Sequence, residues 1–191
     1  MKDTSLTEKR MNRCFKALVL VTVAVFWGLY TGCAPTKIWI SAPQKGQATN
    51  ASYHAAFEPI QKEKAFFSMF SLSITNKTNE ELRIDWNKTR YVFNGEPSGP
   101  FVFRGVDPAT VKALQIPPDS IPAGGRFTKE IAPFRLIAWT PVRDDGRFTD
   151  RGSLINAGAI PAGKNGIRLV VFMDGKEMSE TMTVTITRKI E

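Results

Sequence analysis

Cys33 is the residue whose type and setting most narrow the chemistry of this chain. It follows Thr31 and Gly32 at the end of an apolar run from Ala17 to Tyr30, and the only other cysteine is Cys14. His54 is the single histidine. A Ser-His-Asp triad needs a buried, oriented imidazole, and a catalytic zinc usually takes two or three His or Cys ligands. A lone histidine ahead of the strands therefore reads as a solvated or edge residue. Asp144, Asp145 and Asp150 in DDGRFTD offer oxygen ligands, but the alternate-residue carboxylates and closing Glu of an EF-hand are missing, which reads as a solvated turn. No acid pair stands out for glycoside hydrolysis. Trp86 and Trp139 have the apolar faces that stack on sugars, although Trp86 shares the parity of Leu82 and Ile84 and so reads as core. Asn50, Asn76 and Asn87 head sequons that matter only on a eukaryotic secretory route. Gly124-Gly125 and Gly163 follow proline and precede strands, so they lack the helix start that holds a phosphate. No catalytic residue, metal ligand or cofactor is expected.

The elements that position Cys33 lie upstream. Lys9, Arg10, Arg13 and Lys16 precede the apolar run, giving the charged, apolar and small-residue regions of a secretory leader. The run is about 14 residues, short of the roughly 18 to 20 that span a bilayer, which favours cleavage over permanent anchoring. Leu29-Tyr30-Thr31-Gly32-Cys33 resembles the lipobox of bacterial lipoprotein precursors, with Leu29 one residue early and Tyr30 where leucine is usual. The resemblance implies a diacylglyceryl group on the Cys33 sulfur, cleavage between Gly32 and Cys33, and acylation of the freed amine. Two or three chains hold a protein firmly where one binds marginally. Ala34 after the cysteine, by resemblance to the enteric sorting rule, implies the outer membrane facing the periplasm, with the inner membrane as the alternative. An ordinary signal peptide, or a short uncleaved anchor, is the competing reading of the run.

Composition bounds the rest. The whole chain carries +8 at pH 7. Residues 33–191 carry about +5, spread rather than clustered, so a solvated basic surface is expected and no nucleic-acid partner. Beyond Cys33 there is no thiol, hence no internal disulfide. The size suits one domain able to stand on its core.

From Ala34 to about Asn50 the sequence turns to Pro, Gln, Lys, Gly, Ser and Thr and reads as a tether, which as a flexible coil spans on the order of 20 to 25 Å. Lys37-Ile38-Trp39-Ile40 interrupts it as a short strand or an interfacial contact. From Phe66 the period is two. Phe70, Leu72 and Ile74 alternate with Ser71, Ser73 and Thr75. Leu82, Ile84 and Trp86 follow a polar turn, and the two segments read as an antiparallel hairpin. Asn94-Gly95 marks a turn between Tyr91-Val92-Phe93 and Phe101-Val102-Phe103. Ala109 to Leu114 reads as one helical turn stopped by Pro117-Pro118. Ile121-Pro122-Ala123-Gly124 and Ile160-Pro161-Ala162-Gly163 each read as a type I turn feeding a strand. Phe134 to Trp139 is a further strand, before a charged loop from Arg143 to Arg151. Arg168 to Met173 turns at Asp174-Gly175 into Met178 to Thr187.

About eight short strands with little helix predict an all-β, antiparallel two-sheet sandwich, immunoglobulin-like in architecture but without the Cys, Trp, Cys framework. A small β-barrel is the alternative. The segment Leu72 to Trp86 also resembles stretches of uncharacterised lipoproteins carrying such domains. The expected organisation is a lipoprotein signal peptide over 1–32, a lipidated N-terminus and tether over 33–52, and one sandwich over 53–191. The expected function is non-enzymatic: an interaction or structural module of the cell envelope, bound to membrane through Cys33 and to an envelope protein. A carbohydrate or cell-wall binding module is the alternative.

Overall fold

Period-two alternation governs most of the residues that the computed structural model describes, 37–62, 66–137 and 157–190. The strands are β1 (Lys37–Ala42), β2 (Gly46–Thr49), β3 (Tyr53–Lys62), β4 (Phe66–Asn76), β5 (Leu82–Ile84), β6 (Arg90–Phe93), β7 (Glu96–Pro97), β8 (Phe101–Val102), β9 (Asp119–Ile121), β10 (Arg126–Pro133), β11 (Gly163–Met173) and β12 (Lys176–Ile190). One helical turn, α1 (Pro108–Lys112), precedes β9. Asp107 caps it by accepting from the Ala109 amide at 2.8 Å, and Pro108 occupies the first turn, where no amide is needed.

All pairings are antiparallel. One sheet runs β1-β12-β11-β5-β9, with β6 also on β11 and β7 on β6; the other runs β2-β3-β4-β10-β8. The two sheets pack face to face and do not close into a barrel, so the sandwich forms and the barrel does not. Alternate residues fill the space between them. Tyr53, Ala55 and Phe57 of β3 and Phe70, Leu72 and Ile74 of β4 meet Ile167, Leu169 and Val171 of β11 and Met182, Val184 and Ile186 of β12, all fully or almost fully buried. Each large apolar side chain contributes about 1.5–3 kcal/mol by leaving water. Phe57 stacks on Phe70 with centroids 4.1 Å apart, and Tyr91 meets Phe101 edge-on at 6.0 Å. The Tyr91 hydroxyl donates to Asn165 Oδ1, whose amide donates to the Pro161 and Gly163 carbonyls at 3.0 and 2.9 Å. This buried polar link is therefore satisfied at both ends.

The hairpin of β11 and β12 forms as the sequence predicts, with Asp174 (φ 48°) and Gly175 (φ 71°) both left-handed, the geometry of a type I′ turn. Asn94-Gly95 also turns tightly, but onto the short β7; Phe101-Val102 instead crosses to the other sheet and pairs with β10. Several expectations are corrected. β4 and β5 do not form a hairpin: β4 pairs with β3 and β10, whereas β5 pairs with β11 and β9. The chain changes sheet between them, at Asn76. Phe134–Leu136 is a 3-10 turn leading to a single bridge between Ile137 and Ala157, not a strand. The tether expected over 33–52 is sheet from Lys37 onward, because β1 pairs with β12 and β2 with β3. β2 also lies against β12: a Cβ on Gly46 would stand 2.9 Å from the backbone N and O of Thr183, so only glycine permits this approach.

The two Ile-Pro-Ala-Gly segments differ. In the first, the Gly125 amide donates to the Pro122 carbonyl at 2.9 Å with Gly124 at φ 64°, placing left-handed glycine third, as in a type II rather than a type I turn. In the second, Gly163 at φ 131° already begins β11.

Candidate functional site

Gly32 and Cys33, the expected cleavage and lipidation site, lie outside the described residues, as do Trp139, Asp144, Asp145 and Asp150. His54 sits within β3 opposite Thr75, not ahead of the strands, and its Nδ1 lies 2.7 Å from Thr49 Oγ1 on the outer face of the sheet. It is therefore not an edge residue: β3 lies between β2 and β4, with His54 paired to Thr49 on one side and Thr75 on the other. Trp86 is 1% exposed and offers no face to a sugar.

The three sequon asparagines are architectural. Asn50 Oδ1 accepts from the amides of Ser52 and Tyr53, both at 2.9 Å. Asn87 spans to Ile116 with both ends of its amide, accepting at 2.8 Å and donating at 2.9 Å. Asn76 is 2% exposed; it donates to the carbonyls of Glu80, Ile121 and Pro122 at 2.6, 3.2 and 3.0 Å and accepts from the amide and hydroxyl of Thr78. It staples the point where the chain changes sheet to the turn entering β10.

One surface groove, of about 620 Å³, opens beside β5. The polar turn before β5 supplies Glu80 and Glu81, β5 supplies Arg83, the turn after it Asp85 and Asn87, and the β11–β12 hairpin Phe172 and Asp174. Cross-strand register sets Arg83 beside Phe172 and Ser120. Arg83 Nε donates to Glu81 Oε1 at 2.7 Å. That bond, with a second from Ser120, holds the exposed Glu81 carboxyl below the usual carboxylate range. Asp85 Oδ1 accepts from the amides of Asn87 and Lys88 at 2.9 and 3.1 Å. Lys88 lies 4.9 Å over the Phe172 ring and 2.5 Å from Glu177, whose hydrogen bond first, and then the charges of Glu177 and Asp85, hold the ammonium above its ordinary value. Glu80, Glu81, Asp85 and Asp174 outnumber Arg83, giving an acidic groove in a basic protein.

A second cluster sits between the sheets at the β10 side. Lys129 takes the inward parity of Phe127 and Ile131, opposite buried Leu72. Its ammonium pairs with Asp119 and lies 4.0, 5.5 and 5.7 Å from the ring centroids of Phe103, Phe127 and Trp86. Asp119 also accepts from Trp86 Nε1 at 2.7 Å. The sequence signal for Lys129 is its parity in Phe127-Thr128-Lys129-Glu130-Ile131, which sets it on the face of Phe127 and Ile131. The groove had no such clue, since only the pairing of β5 with β11 brings Glu81 and Asp174 together.

The polar groups of both places are largely spent on one another or on backbone amides. Among the described residues no three His, Cys, Asp or Glu side chains are grouped to hold a metal, and no helix is long and apolar enough to cross a membrane. No protein-family model, curated protein or solved structure matches the chain.

Proposed function

We propose that this chain is a lipoprotein of the cell envelope, acylated at Cys33, held in the outer membrane on its periplasmic side, and acting without catalysis as an interaction module. The observation that carries the reading is the lipobox-like Leu29-Tyr30-Thr31-Gly32-Cys33 ending a charged and apolar leader. A sandwich that stands on an apolar core without a disulfide supports it, since such a domain needs no oxidative staple after export. The acidic groove beside β5 is the surface offered to an envelope protein, whose complementary patch is basic. A carbohydrate module is less well supported, because Trp86 is interior.

Expression in a bacterial host with lipoprotein processing, followed by intact mass and membrane separation on a density gradient, tests the anchor. The expected product begins at Cys33, carries two or three acyl chains and co-sediments with outer membrane. An unmodified Cys33 overturns the lipoprotein reading, and recovery with inner membrane moves the address. Crosslinking from Cys-substituted Glu80 or Asp174 in membranes should capture one protein repeatedly; failure to capture any sinks the groove as its binding surface.

A further inference from the structure

We infer that the outer corner formed by β1 and the end of β12 docks on an anionic lipid surface, so that the domain stands on the bilayer in one orientation. The inference rests on acylation of Cys33 and adds a protein-lipid contact to it. Only residues 34–36 separate Cys33 from the first strand residue, Lys37. Four Cα steps reach at most about 15 Å, against a headgroup layer about 5–8 Å deep. A long flexible tether would let the domain face any direction; this link holds the start of β1 at the headgroups.

The chemistry at that corner suits the place. Ile38 pairs with Lys189, Trp39 with Arg188 and Ile40 with Thr187. Ile38 and Ile40 share the outward parity with Thr187 and Lys189, opposite to that of buried Ile186. Ile40 is one of only two large hydrophobic residues exposed among those described, at 37%, and Lys189 is exposed on the same face; Arg188, also exposed, has the opposite parity, with Trp39. Apolar side chains flanked by Lys and Arg are the composition of surfaces that sit in the interface of anionic bilayers. The acidic groove lies at the other end of β11 and β12, by the Asp174 turn, about 45 Å along the strand from Lys189. An anionic surface attracts one end and repels the other, which turns the groove outward to where a protein can reach it.

The test uses the mature lipidated protein in vesicles of phosphatidylcholine with phosphatidylglycerol whose acyl chains are brominated. Since no other free thiol remains after processing, Ile40→Cys or Lys176→Cys can carry a single fluorophore. Quenching should be strong at position 40 and weak at 176. Lys189→Glu should lower the docked population by about fivefold per charge removed, and vesicles of phosphatidylcholine alone should lower it too. Equal quenching at both positions in protein whose mass shows the lipid overturns the docking inference alone. A mass without lipid overturns it together with the anchor. Excimer formation between pyrene labels at position 40 would assign the corner to a second copy of the chain and also overturn it.

Discussion

At the scale of single residues, two buried polar side chains have consequences that can be measured. Asn76 ties the Glu80, Ile121 and Pro122 carbonyls to Thr78, and no other side chain of its size offers two donors and an acceptor there. Asn76→Ala should cost about 2–3 kcal/mol, the usual result of leaving buried carbonyls unpaired, read as a lower urea midpoint at unchanged slope. Tyr91 behaves differently with pH. Burial pushes its phenol well above the ordinary value, against a smaller opposing influence of Arg135, and burial does the same to Tyr53, aided by the Glu180 charge and opposed by Asn50. Below pH about 10 both folded and unfolded phenols hold their protons, so neither residue makes stability depend on pH. Above that, the unfolded chain loses protons that the folded chain retains, and stability falls as pH rises, by up to about 1.4 kcal/mol per pH unit for each phenol. Urea titrations between pH 8 and 11 should show a plateau and then this decline. Tyr91→Phe should make the decline shallower, leaving the Tyr53 share, while costing about 1–3 kcal/mol at neutral pH by orphaning Asn165 Oδ1.

Among the elements, β10 is the one whose sequence conflicts with its place. Among the described residues, Arg126–Ile131 pair on one side only, with β4, and an unpaired edge invites another strand. Lys129 points inward there, its charge met by Asp119 and the rings of Phe103, Phe127 and Trp86. Inward charge on an edge strand opposes edge-to-edge pairing. Lys129→Leu should destabilise the monomer by about 1–3 kcal/mol, since it leaves the partly buried Asp119 carboxylate without its ammonium. It should raise self-association, seen as a concentration-dependent rise in sedimentation coefficient. A variant that sediments like the parent chain would reduce Lys129 to a packing residue. The same strands show what sequence can reveal. Alternation in Phe70 to Ile74 and in Met182 to Ile186 fixes which side chains go inward, and Asp174-Gly175 fixes a turn, because both depend on neighbours in the chain. It does not say which sheet a strand joins: Leu82 and Ile84 keep the same inward parity whether β5 returns beside β4 or crosses to β11. The groove was hidden for that reason.

For the molecule as a whole, the decisive fact is that two strands of the described sheets, β1 and β2, precede residue 53. β1 covers the edge of β12 from Thr185 to Ile190, and β2 covers the edge of β3 from His54 to Phe57 while lying against Thr183. Each sheet thus has one border closed by a strand that precedes the expected domain. Trp39 and Ala48 also pack on the core from these strands. Composition misled here: Pro43, Gln44, Lys45 and Gly46 read as linker, yet they are the corner that carries the chain from one sheet to the other. A chain beginning at residue 53 would lose those side chains and bare two strand edges together. Relative to a chain beginning at Lys37, it should be destabilised by about 3 kcal/mol or more, from lost apolar burial and ladder bonds, and should aggregate through β3 and β12. Urea unfolding followed by tryptophan fluorescence, with light scattering on the same samples, compares the two. A single cooperative transition of the longer chain and a weak or scattering one of the shorter would place β1 and β2 inside the folding unit. Equal midpoints without aggregation would make them a dispensable wrap.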